Sequence, residues 1–267
     1  MRLAVLGDPL VYTRSPELHR AGLTALGLEC ESVALRTPPA GLAARLAELA
    51  AAGFTGTNLT HPLKESALAL LSRVSAEAAS ARSVNTVGFD PAGSWGETTD
   101  GVGFLDLLAA LGRDPAEERV VLHGSGGASR SLALALAGAG CVSVVVASRD
   151  PALAAPAWGS VEGVRLEAAS GEGIAAAHGE ATLVVNATPR SAAGEPVAPA
   201  GLPRAALLVD LTYGPEPTEW VLAARAAGRE AIDGLGLLVH QARRSLMRWT
   251  GRDVPVEPLA RAVGWRA

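Results

Sequence analysis

The sequence predicts an α/β protein of two domains, each an open sheet of mostly parallel strands covered by helices. Short apolar runs rich in β-branched residues alternate along the chain with segments of helical period. A glycine-rich turn follows one of these runs near the middle of the chain. The length of 267 residues, at about 150 residues per domain, favours two domains. Hydrophobic residues make up 49% of the chain, which is ample for two cores.

The first predicted domain spans residues 1–100. Leu3 to Leu6 is an apolar run that predicts a strand, and Gly7-Asp-Pro9 ends it in a turn. Ser15 and Pro16 have the residue types of a helix N-cap and a first helical position. The other predicted elements of this domain are helices at 16–26, 42–52 and 63–71 and strands at 54–59, 84–89 and 94–98, the last two joined by a hairpin turn at 90–93.

The second predicted domain spans residues 101–234 and has the pattern of a Rossmann-like, dinucleotide-binding sheet. A connecting helix at 102–111 opens it, and the glycine-rich turn lies between a strand at 120–122 and a helix at 129–139. Further buried strands are predicted at 144–146, 182–185 and 207–209. A long helix at 237–250 is expected to return to the first domain, which then includes residues 235–267. We expect a cleft between the two domains.

Composition and spacing exclude several classes of protein. The formal net charge is −4, which gives no broad basic surface for nucleic acid. Cys30 and Cys141 are too few and too far apart for a disulfide scaffold, and the five histidines lack the spacing of a metal site. The uncharged run between Arg130 and Arg149 contains two glycines and becomes β-branched, so it predicts a buried helix and strand, not a membrane span. With no secretory signal visible, we expect a cytoplasmic protein without a metal, nucleic-acid or membrane partner.

A few residue types are rare in this chain. Lys64 is the one lysine among 23 basic residues, and Gln241 is the one glutamine. The asparagines are Asn58, Asn85 and Asn186. The abundance of Ala, Gly, Pro and Arg indicates a coding bias against lysine and asparagine, so a position that keeps one is a candidate for a role that needs its chemistry.

The glycine-rich turn predicts a bound dinucleotide. Small residues after a strand let the backbone approach a pyrophosphate, which then lies at the N-terminus of the following helix. The candidate cofactor contacts in this turn are Gly124, Ser125, Gly126, Gly127, Ala128 and Ser129. After the next strand, Ser148, Arg149 and Asp150 are placed to meet the adenosine ribose. Arg149 suits a 2′-phosphate and Asp150 suits the ribose diol of NAD, so charge alone leaves NADP and NAD open.

Nine motifs in order along nearly the whole chain resemble the shikimate dehydrogenase family. They are Gly7-Asp-Pro9, Thr13-Arg-Ser-Pro16 with His19, Asn58-Leu-Thr-His-Pro-Leu-Lys64, Ser83-Val-Asn-Thr86, Thr99-Asp-Gly101, Gly124-Ser-Gly-Gly-Ala-Ser-Arg130, Asn186-Ala-Thr188, Asp210-Leu-Thr-Tyr213 and Asp233-Gly-Leu-Gly-Leu-Leu-Val-His-Gln241. The resemblance implies an oxidoreductase that reduces 3-dehydroshikimate to shikimate, usually with NADPH, in aromatic amino-acid and chorismate biosynthesis.

The resemblance implies that Lys64 and Asp100 are the catalytic pair. Reduction of a ketone needs a proton donor, and a lysine ammonium can release a proton near neutral pH when it is desolvated, whereas arginine stays charged. Asp100 would hold the ammonium in position. Outside these motifs, the same two residues would be an ordinary salt bridge.

The resemblance also implies the substrate contacts. Thr13 and Ser15, assisted by Tyr213, match groups that hold the substrate carboxylate, and helix capping is the rival interpretation of Thr13. The matches to groups that bind the ring hydroxyls are Asn58, Thr60, Asn85 and Gln241. Further cofactor contacts are predicted at Thr188, Leu211 and Gly234, while Asn186 is interpreted as structural.

The sequence departs from the family pattern at several positions. Thr13 stands where serine is usual, Thr98 where asparagine is usual, and Leu237 where methionine is frequent. Ser148 and Asp150 depart from the usual Asn-Arg-Thr or Asn-Arg-Ser. Asp150 and Thr13 keep one alternative open, an NAD-dependent quinate/shikimate dehydrogenase. A more remote alternative is a non-catalytic sensor, because the fold also resembles domains used in quinate-responsive regulation. The oligomeric state, monomer or homodimer, also stays open.

Overall fold

The computed structural model describes residues 1–159, 161–188 and 196–266. The chain divides into two compact units. The first unit comprises Met1–Phe104 with Leu238–Ala267, and the second comprises Leu105–Leu237. Each unit contains a sheet with helices, so the predicted α/β class is confirmed.

The first unit contains a mixed sheet of six strands within the described residues. The strands are β1 (Arg2–Gly7), β2 (Glu31–Arg36), β3 (Gly56–Leu59), β4 (Arg73–Val74), β5 (Thr86–Asp90) and β6 (Gly93–Glu97), in the order β2-β1-β3-β5-β6-β4. β1 pairs in parallel with β2 and β3, whereas β5 pairs antiparallel with β3 and β6. The predicted hairpin is present, and Gly93 supplies the positive φ (+109°) of its turn.

Helices cover this sheet. They are α1 (Ser15–Ala25), α2 (Leu42–Ala51), α3 (Leu63–Ser66), α4 (Ala76–Ala81), the start of α5 (Asp100–Ala110), most of α10 (Leu235–Thr250) and α11 (Val256–Val263). α1 packs on α11, and it approaches α10 closely at Gly22, where a Cβ would lie 2.4 Å from Leu246 Cδ1. Part of the core lies between the sheet and α2, where Ala4, Leu6, Leu42 and Leu46 are buried together.

The second unit contains an all-parallel sheet of six strands within the described residues. The strands are β7 (Arg119–His123), β8 (Ser143–Ser148), β9 (Val164–Ala168), β10 (Leu183–Asn186), β11 (Leu207–Asp210) and β12 (Glu230–Ile232), in the order β12-β11-β10-β7-β8-β9. Numbered within the unit, this is the 3-2-1-4-5-6 order of doubly wound dinucleotide-binding sheets. The strand order reverses between β7 and β10, and ligands of such sheets bind at the carboxyl ends of the strands there.

The helices of the second unit are the rest of α5, α6 (Gly127–Gly138), α7 (Pro151–Trp158), α8 (Glu172–Glu180), α9 (Glu219–Ala226) and the first turn of α10. β10 and β11 are buried along their whole length, as expected for strands covered on both faces. One face packs Val121, Val184 and Leu208 against Trp220 of α9.

Two local predictions are wrong. Ser15 is not an N-cap: α1 includes it, Arg14 occupies the cap, and no side-chain cap bond forms there. Instead, the backbone N–H of Ser15 donates to Thr13 Oγ1 (3.3 Å), so the residue two positions earlier supplies the hydroxyl oxygen. The predicted helix at 63–71 is α3 followed by a 3-10 turn over Ala67–Leu70.

Within the described residues, none of the helices is long and apolar enough to cross a membrane. The same part of the chain holds no group of three or more His, Cys, Asp or Glu side chains that could bind a metal ion.

Candidate active site

Lys64 and Asp100 form an ion pair within the first unit. Lys64 Nζ lies 2.5 Å from Asp100 Oδ2, with the two side chains 19% and 6% exposed. Lys64 lies on the short helix after β3, where its carbonyl oxygen accepts from the N–H of Val84 (2.8 Å), and Asp100 is the first residue of α5. The pair is therefore mostly shielded from water and is attached to two separately anchored backbone segments.

Asn85 joins this pair to the rest of the unit. Its Nδ2 donates to Asp100 Oδ1 (2.7 Å), to Thr99 Oγ1 (2.9 Å) and to Gln241 Oε1 (3.2 Å). Its Oδ1 accepts from the backbone N–H of Thr99 (2.8 Å). Asn85, Asp100, Lys64 and Gln241, which were predicted from separate motifs, thus lie in one hydrogen-bonded cluster.

Asn58 occupies the deeper part of the same cluster. Its Nδ2 donates to the carbonyl oxygen of Asn85 (2.9 Å) and to Ser245 Oγ (3.1 Å), and its Oδ1 accepts from His19 Nε2 (2.8 Å). His19 is fully buried, and its Nδ1 accepts from the hydroxyl of Ser32 (2.8 Å). Burial lowers the pKa of His19 to about 4, so the ring is neutral at pH 7.

Thr13, Ser15 and Thr60 lie at loops and helix starts of the first unit. The hydroxyl of Thr13 donates to Ser15 Oγ (3.3 Å), so these two predicted carboxylate ligands are adjacent. Thr60 directly follows β3 and is half-buried. Tyr213 belongs to the second unit and follows β11.

The glycine-rich turn of the second unit follows β7 at the point where the strand order reverses. Gly124 has φ +103°, and a Cβ there would lie 3.1 Å from the backbone of Ala187, so glycine is required. A Cβ on Gly126 would meet nothing within 4 Å, which leaves that side of the turn open. The first bond of α6 runs from the N–H of Arg130 to the carbonyl of Gly126 (3.0 Å), so the N–H groups of residues 127–129 are not used by the helix.

Two side chains fix the backbone of this turn by donating hydrogen bonds to one of its carbonyl oxygens. The carbonyl oxygen of Ser125 accepts from Arg130 Nη1 (3.0 Å) and from the indole N–H of Trp158 (3.2 Å). Ser125 Oγ lies 3.2 Å from Ser148 Oγ at the end of β8. The buried hydroxyl of Ser129 has no hydrogen-bond partner within the described residues. An open glycine turn, unused N–H groups and an unpartnered hydroxyl fit a pyrophosphate at this helix start.

The last residue of β8 and the two residues after it differ in their surroundings. Ser148 is buried, whereas Arg149 and Asp150 are exposed. Asp150 is the N-cap of α7, and its Oδ1 accepts from the N–H of Leu153 (3.0 Å). Its carboxylate therefore has a structural role that the charge pattern did not indicate.

The remaining predicted cofactor residues lie at strand ends of the same sheet. Thr188 donates through both its N–H (3.1 Å) and its hydroxyl (2.6 Å) to Asn186 Oδ1, which makes Asn186 a local turn former. Gly234 approaches Leu211 so closely that a Cβ would lie 2.2 Å from the Leu211 carbonyl oxygen. Leu211 and Gly234 are therefore neighbours in space, and only glycine fits at position 234.

Sequence reasoning gave no role to several residues of the buried cluster. They are His19, Thr86, Thr99 and Ser245. His19, Thr86 and Thr99 stand in the motifs that resemble the family, and Thr99 directly precedes Asp100, so position was a signal for these three. Ser245 lies four residues after Gln241, one helical turn along α10, and that spacing was its only signal.

Comparison with known proteins agrees with this architecture. The family model described as shikimate dehydrogenase substrate binding domain matches residues 5–87, and the one described as shikimate 5'-dehydrogenase C-terminal domain matches residues 234–263. The chain is 37% identical to a shikimate dehydrogenase (NADP(+)) of Moorella thermoacetica, over 98% of this chain and 92% of the relative.

Two solved structures are similar to this chain over nearly its whole length. The shikimate 5-dehydrogenase of Thermus thermophilus in complex with NADP(H) and shikimate superposes with a TM-score of 0.87, at 36% identity over 99% of this chain and 98% of that chain. Quinate dehydrogenase of Corynebacterium glutamicum in complex with NAD gives 0.84, at 30% identity over 98% of both chains. The identity to full-length relatives, together with the two matched domain models, shows that this chain belongs to the shikimate dehydrogenase family.

Proposed function

We propose that this chain is an NADP-dependent shikimate dehydrogenase, which interconverts 3-dehydroshikimate and shikimate in aromatic biosynthesis. The observation that carries the proposal is the shielded Lys64–Asp100 ion pair, with a 2.5 Å contact, in the unit that matches the substrate-binding family model. The relatives from Moorella thermoacetica and Acidiphilium cryptum, each named shikimate dehydrogenase (NADP(+)), match 98% of this chain at 37% and 41% identity.

In the proposed mechanism, Lys64 Nζ carries the proton of the reaction. In the reducing direction, the ammonium donates a proton to the oxygen of the former ketone as negative charge develops on it. Asp100 accepts a hydrogen bond from the same ammonium through Oδ2 and keeps it aimed. In the oxidising direction, the neutral amine takes the proton of the alcohol. Arginine could not act in this way, because its pKa is too high for it to lose a proton at neutral pH.

The other polar groups of the first unit are assigned to substrate binding. The hydroxyls of Thr13 and Ser15 donate to the carboxylate of the substrate, with Tyr213 of the second unit assisting. Thr60 and Gln241 provide hydrogen-bonding groups for the ring hydroxyls, and the carboxamides of Asn58 and Asn85 are assigned to the same surface. A ring with several hydroxyls needs both donors and acceptors, which amide side chains supply together.

The second unit is assigned to the cofactor. The pyrophosphate would be held by the N–H groups at the start of α6, from Gly126 to Ser129, and the adenosine ribose by Ser148 and Arg149. Thr188, Leu211 and Gly234 complete the assigned set. The nicotinamide of the bound cofactor supplies or accepts the hydride.

A second candidate is an NAD-dependent quinate/shikimate dehydrogenase. The observation that favours it is the exposed carboxylate of Asp150 next to Arg149, since a carboxylate repels a 2′-phosphate. Against it, Asp150 already accepts the N–H of Leu153 at the start of α7. A helix N-terminus partly neutralises such a charge, so Arg149 is expected to dominate and to favour NADP.

The test is kcat/KM for four pairs, shikimate or quinate with NADP⁺ or NAD⁺, together with reduction of 3-dehydroshikimate by NADPH. We expect the highest value for shikimate with NADP⁺. A clear preference for quinate with NAD⁺ would replace the proposal by the second candidate. Absence of any 3-dehydroshikimate-dependent oxidation of NADPH by the purified protein would make a non-catalytic sensor the better explanation.

A further inference from the structure

Arg14 lies between the two residues that are assigned to the substrate carboxylate. Thr13 precedes it and Ser15 follows it, and the hydroxyl oxygens of these two neighbours are 3.3 Å apart. The carbonyl oxygen of Arg14 accepts from the N–H groups of Glu17 (3.1 Å) and Leu18 (3.2 Å), so this residue also begins α1. The placement of Arg14 therefore sets how the two hydroxyls lie relative to each other and to the helix.

The side chain of Arg14 is anchored in the first turn of α1. Its Nε and Nη2 both donate to one carboxylate oxygen, Glu17 Oε2, at 2.8 Å and 2.6 Å. Charge-assisted bonds of this kind are the stronger class of hydrogen bond, and two of them together fix the plane of the guanidinium. The hydrogen bond to Glu17 raises the pKa of Arg14, burial opposes the shift, and the side chain of Tyr12 adds to it.

A third bond connects Arg14 to the end of the chain. Its Nη2 also donates to the carbonyl oxygen of Ala262 (3.0 Å), 248 positions later. Ala262 lies in the last turn of α11, where helix carbonyls lack partners within the helix and where a cation is favourable. Because α11 packs on α1, the guanidinium joins the segment with the two hydroxyls to both helices.

A second ion pair of the first unit shows what is particular to Arg14. Arg45 and Glu48 of α2 have the same spacing of three residues and a contact of 2.8 Å. Arg45 makes no hydrogen bond to another element in the described part of the chain, and pairs of this kind on a helix surface contribute little. Arg14 is less exposed than Arg45, 24% against 37%, and it bridges two helices.

We infer that Arg14 is a positioning residue, whose bonds to Glu17 and Ala262 hold the hydroxyls of Thr13 and Ser15 in the arrangement that binds the substrate carboxylate. In this role the guanidinium acts through the segment it anchors and is not itself a ligand of the carboxylate. The inference rests on the proposed function, because it takes these two hydroxyls as the carboxylate ligands.

The first variant is Arg14→Met, which keeps an unbranched side chain of good helix propensity and removes all three bonds. The carboxylate does not react, so its contacts are the same in the ground state and the transition state. We therefore expect KM for 3-dehydroshikimate to rise at least about fivefold, with kcat and KM for NADPH within about twofold of the wild type. A smaller rise in this KM, or a loss carried by kcat, overturns the inference.

Glu17→Met separates positioning from simple attraction of charge. This variant keeps the cation of Arg14 and removes the negative charge beside it. If Arg14 only attracted the anionic substrate, KM for 3-dehydroshikimate would fall in this variant. Positioning predicts the opposite sign, a rise of at least about threefold, because the guanidinium loses its anchor in α1. A KM equal to or below that of the wild type overturns the inference.

The matched control is Arg45→Met, which removes the same charge from the same kind of ion pair. Its KM for 3-dehydroshikimate should stay within about twofold of the wild type. A rise as large as that of Arg14→Met would assign the effect to net charge and overturn the inference.

If Arg14→Met does not fold, as judged by circular dichroism, Arg14→Lys decides. Lysine keeps the charge, but its single nitrogen cannot reproduce the forked contacts of the guanidinium. A rise in KM for 3-dehydroshikimate of at least about threefold at unchanged kcat supports the inference, and a wild-type KM overturns it. Failure of the proposed function would look different, since the wild-type protein itself would then lack 3-dehydroshikimate reductase activity.

Discussion

His19 is expected to make the first unit sensitive to acid. The ring is fully buried, donates through Nε2 to Asn58 and accepts through Nδ1 from Ser32, an arrangement that only the neutral imidazole can make. Burial is the main cause that lowers the pKa of His19 from 6.5 to about 4; the hydrogen bond to Asn58 opposes the shift and the charge of Arg20 adds to it. Between pH 6.5 and about 4, the ring of His19 therefore stays neutral in the folded unit but is protonated in the unfolded chain.

The sign and size of the effect follow from this difference. Below pH 6.5 the unfolded chain binds a proton at His19, whereas the folded state does so only near pH 4. The stability contribution is thus fully present above pH 6.5 and is lost as the pH falls towards 4. At 1.36 kcal/mol per pH unit, the unfolding free energy of the first unit should decrease by about 3 kcal/mol over this window.

The assay is urea unfolding at pH 7.5, 6, 5 and 4, monitored by hydrogen–deuterium exchange of peptides from β1 and β3. Peptide resolution is needed because the chain contains two compact units, which need not unfold together. The comparison is with His19→Gln, whose amide can donate to Asn58 but does not titrate. The difference in unfolding free energy between the two proteins should change by about 3 kcal/mol between pH 7.5 and 4.

A matched control comes from the second unit. Burial also lowers the pKa of His123 to about 4, so His123→Gln should reduce the pH dependence of peptides from β7 and β10 and leave that of β1 peptides unchanged. If the wild type and His19→Gln lose the same stability on acidification, the buried ring is not the source of the effect and the reasoning fails.

Three further outcomes concern activity. Lys64→Ala should lower kcat by about two orders of magnitude or more with little change in KM for 3-dehydroshikimate, and near-normal turnover would remove the lysine from proton transfer. Asp150→Ser should increase the ratio of kcat/KM for NADPH over NADH, because serine can cap α7 without a negative charge; an unchanged ratio would mean that the carboxylate does not face the ribose. Trp158→Phe removes one of two donors to the Ser125 carbonyl, worth about 1 kcal/mol, so KM for NADPH should rise about fivefold at constant kcat. A Trp158→Phe protein with wild-type KM would show that Arg130 alone holds the turn.

The elements that the sequence predicted best are those whose local signals agree with their burial. The strand at 120–122 is apolar throughout and is followed by glycines, and it became the central strand β7. The strands that the sequence did not predict are at or near sheet edges. β9 reads Val-Arg-Leu-Glu-Ala and β12 has three residues, and each pairs with a single neighbour, so neither needs a fully apolar sequence.

The candidate site also has features that could be predicted from the sequence and features that could not. Lys64, Asp100 and the glycine-rich turn could be predicted as parts of the candidate site because they stand in recognisable motifs. Lys64 is in addition the one lysine of the chain. The partners of each side chain could not be predicted, since Asn85 meets Gln241 across 156 positions of sequence and Asn58 meets Ser245 across 187. Asparagine has the same chemistry whether it faces a substrate or a buried carboxylate, and only the packing of α10 against β5 decides which groups fill its four bonding positions.

The role of the Asp150 carboxylate also depends on a contact that could not be predicted from the sequence. From sequence, its carboxylate was weighed only against a ribose diol or a 2′-phosphate. In the structure it accepts the N–H of Leu153 and begins α7, a task that serine or threonine performs equally well. The negative charge is therefore not required by the fold and can vary without loss of the helix. We therefore expect that one substitution at this position alters cofactor preference at small cost in stability, whereas a substitution of Ser148 also removes its 3.2 Å contact with the Ser125 hydroxyl.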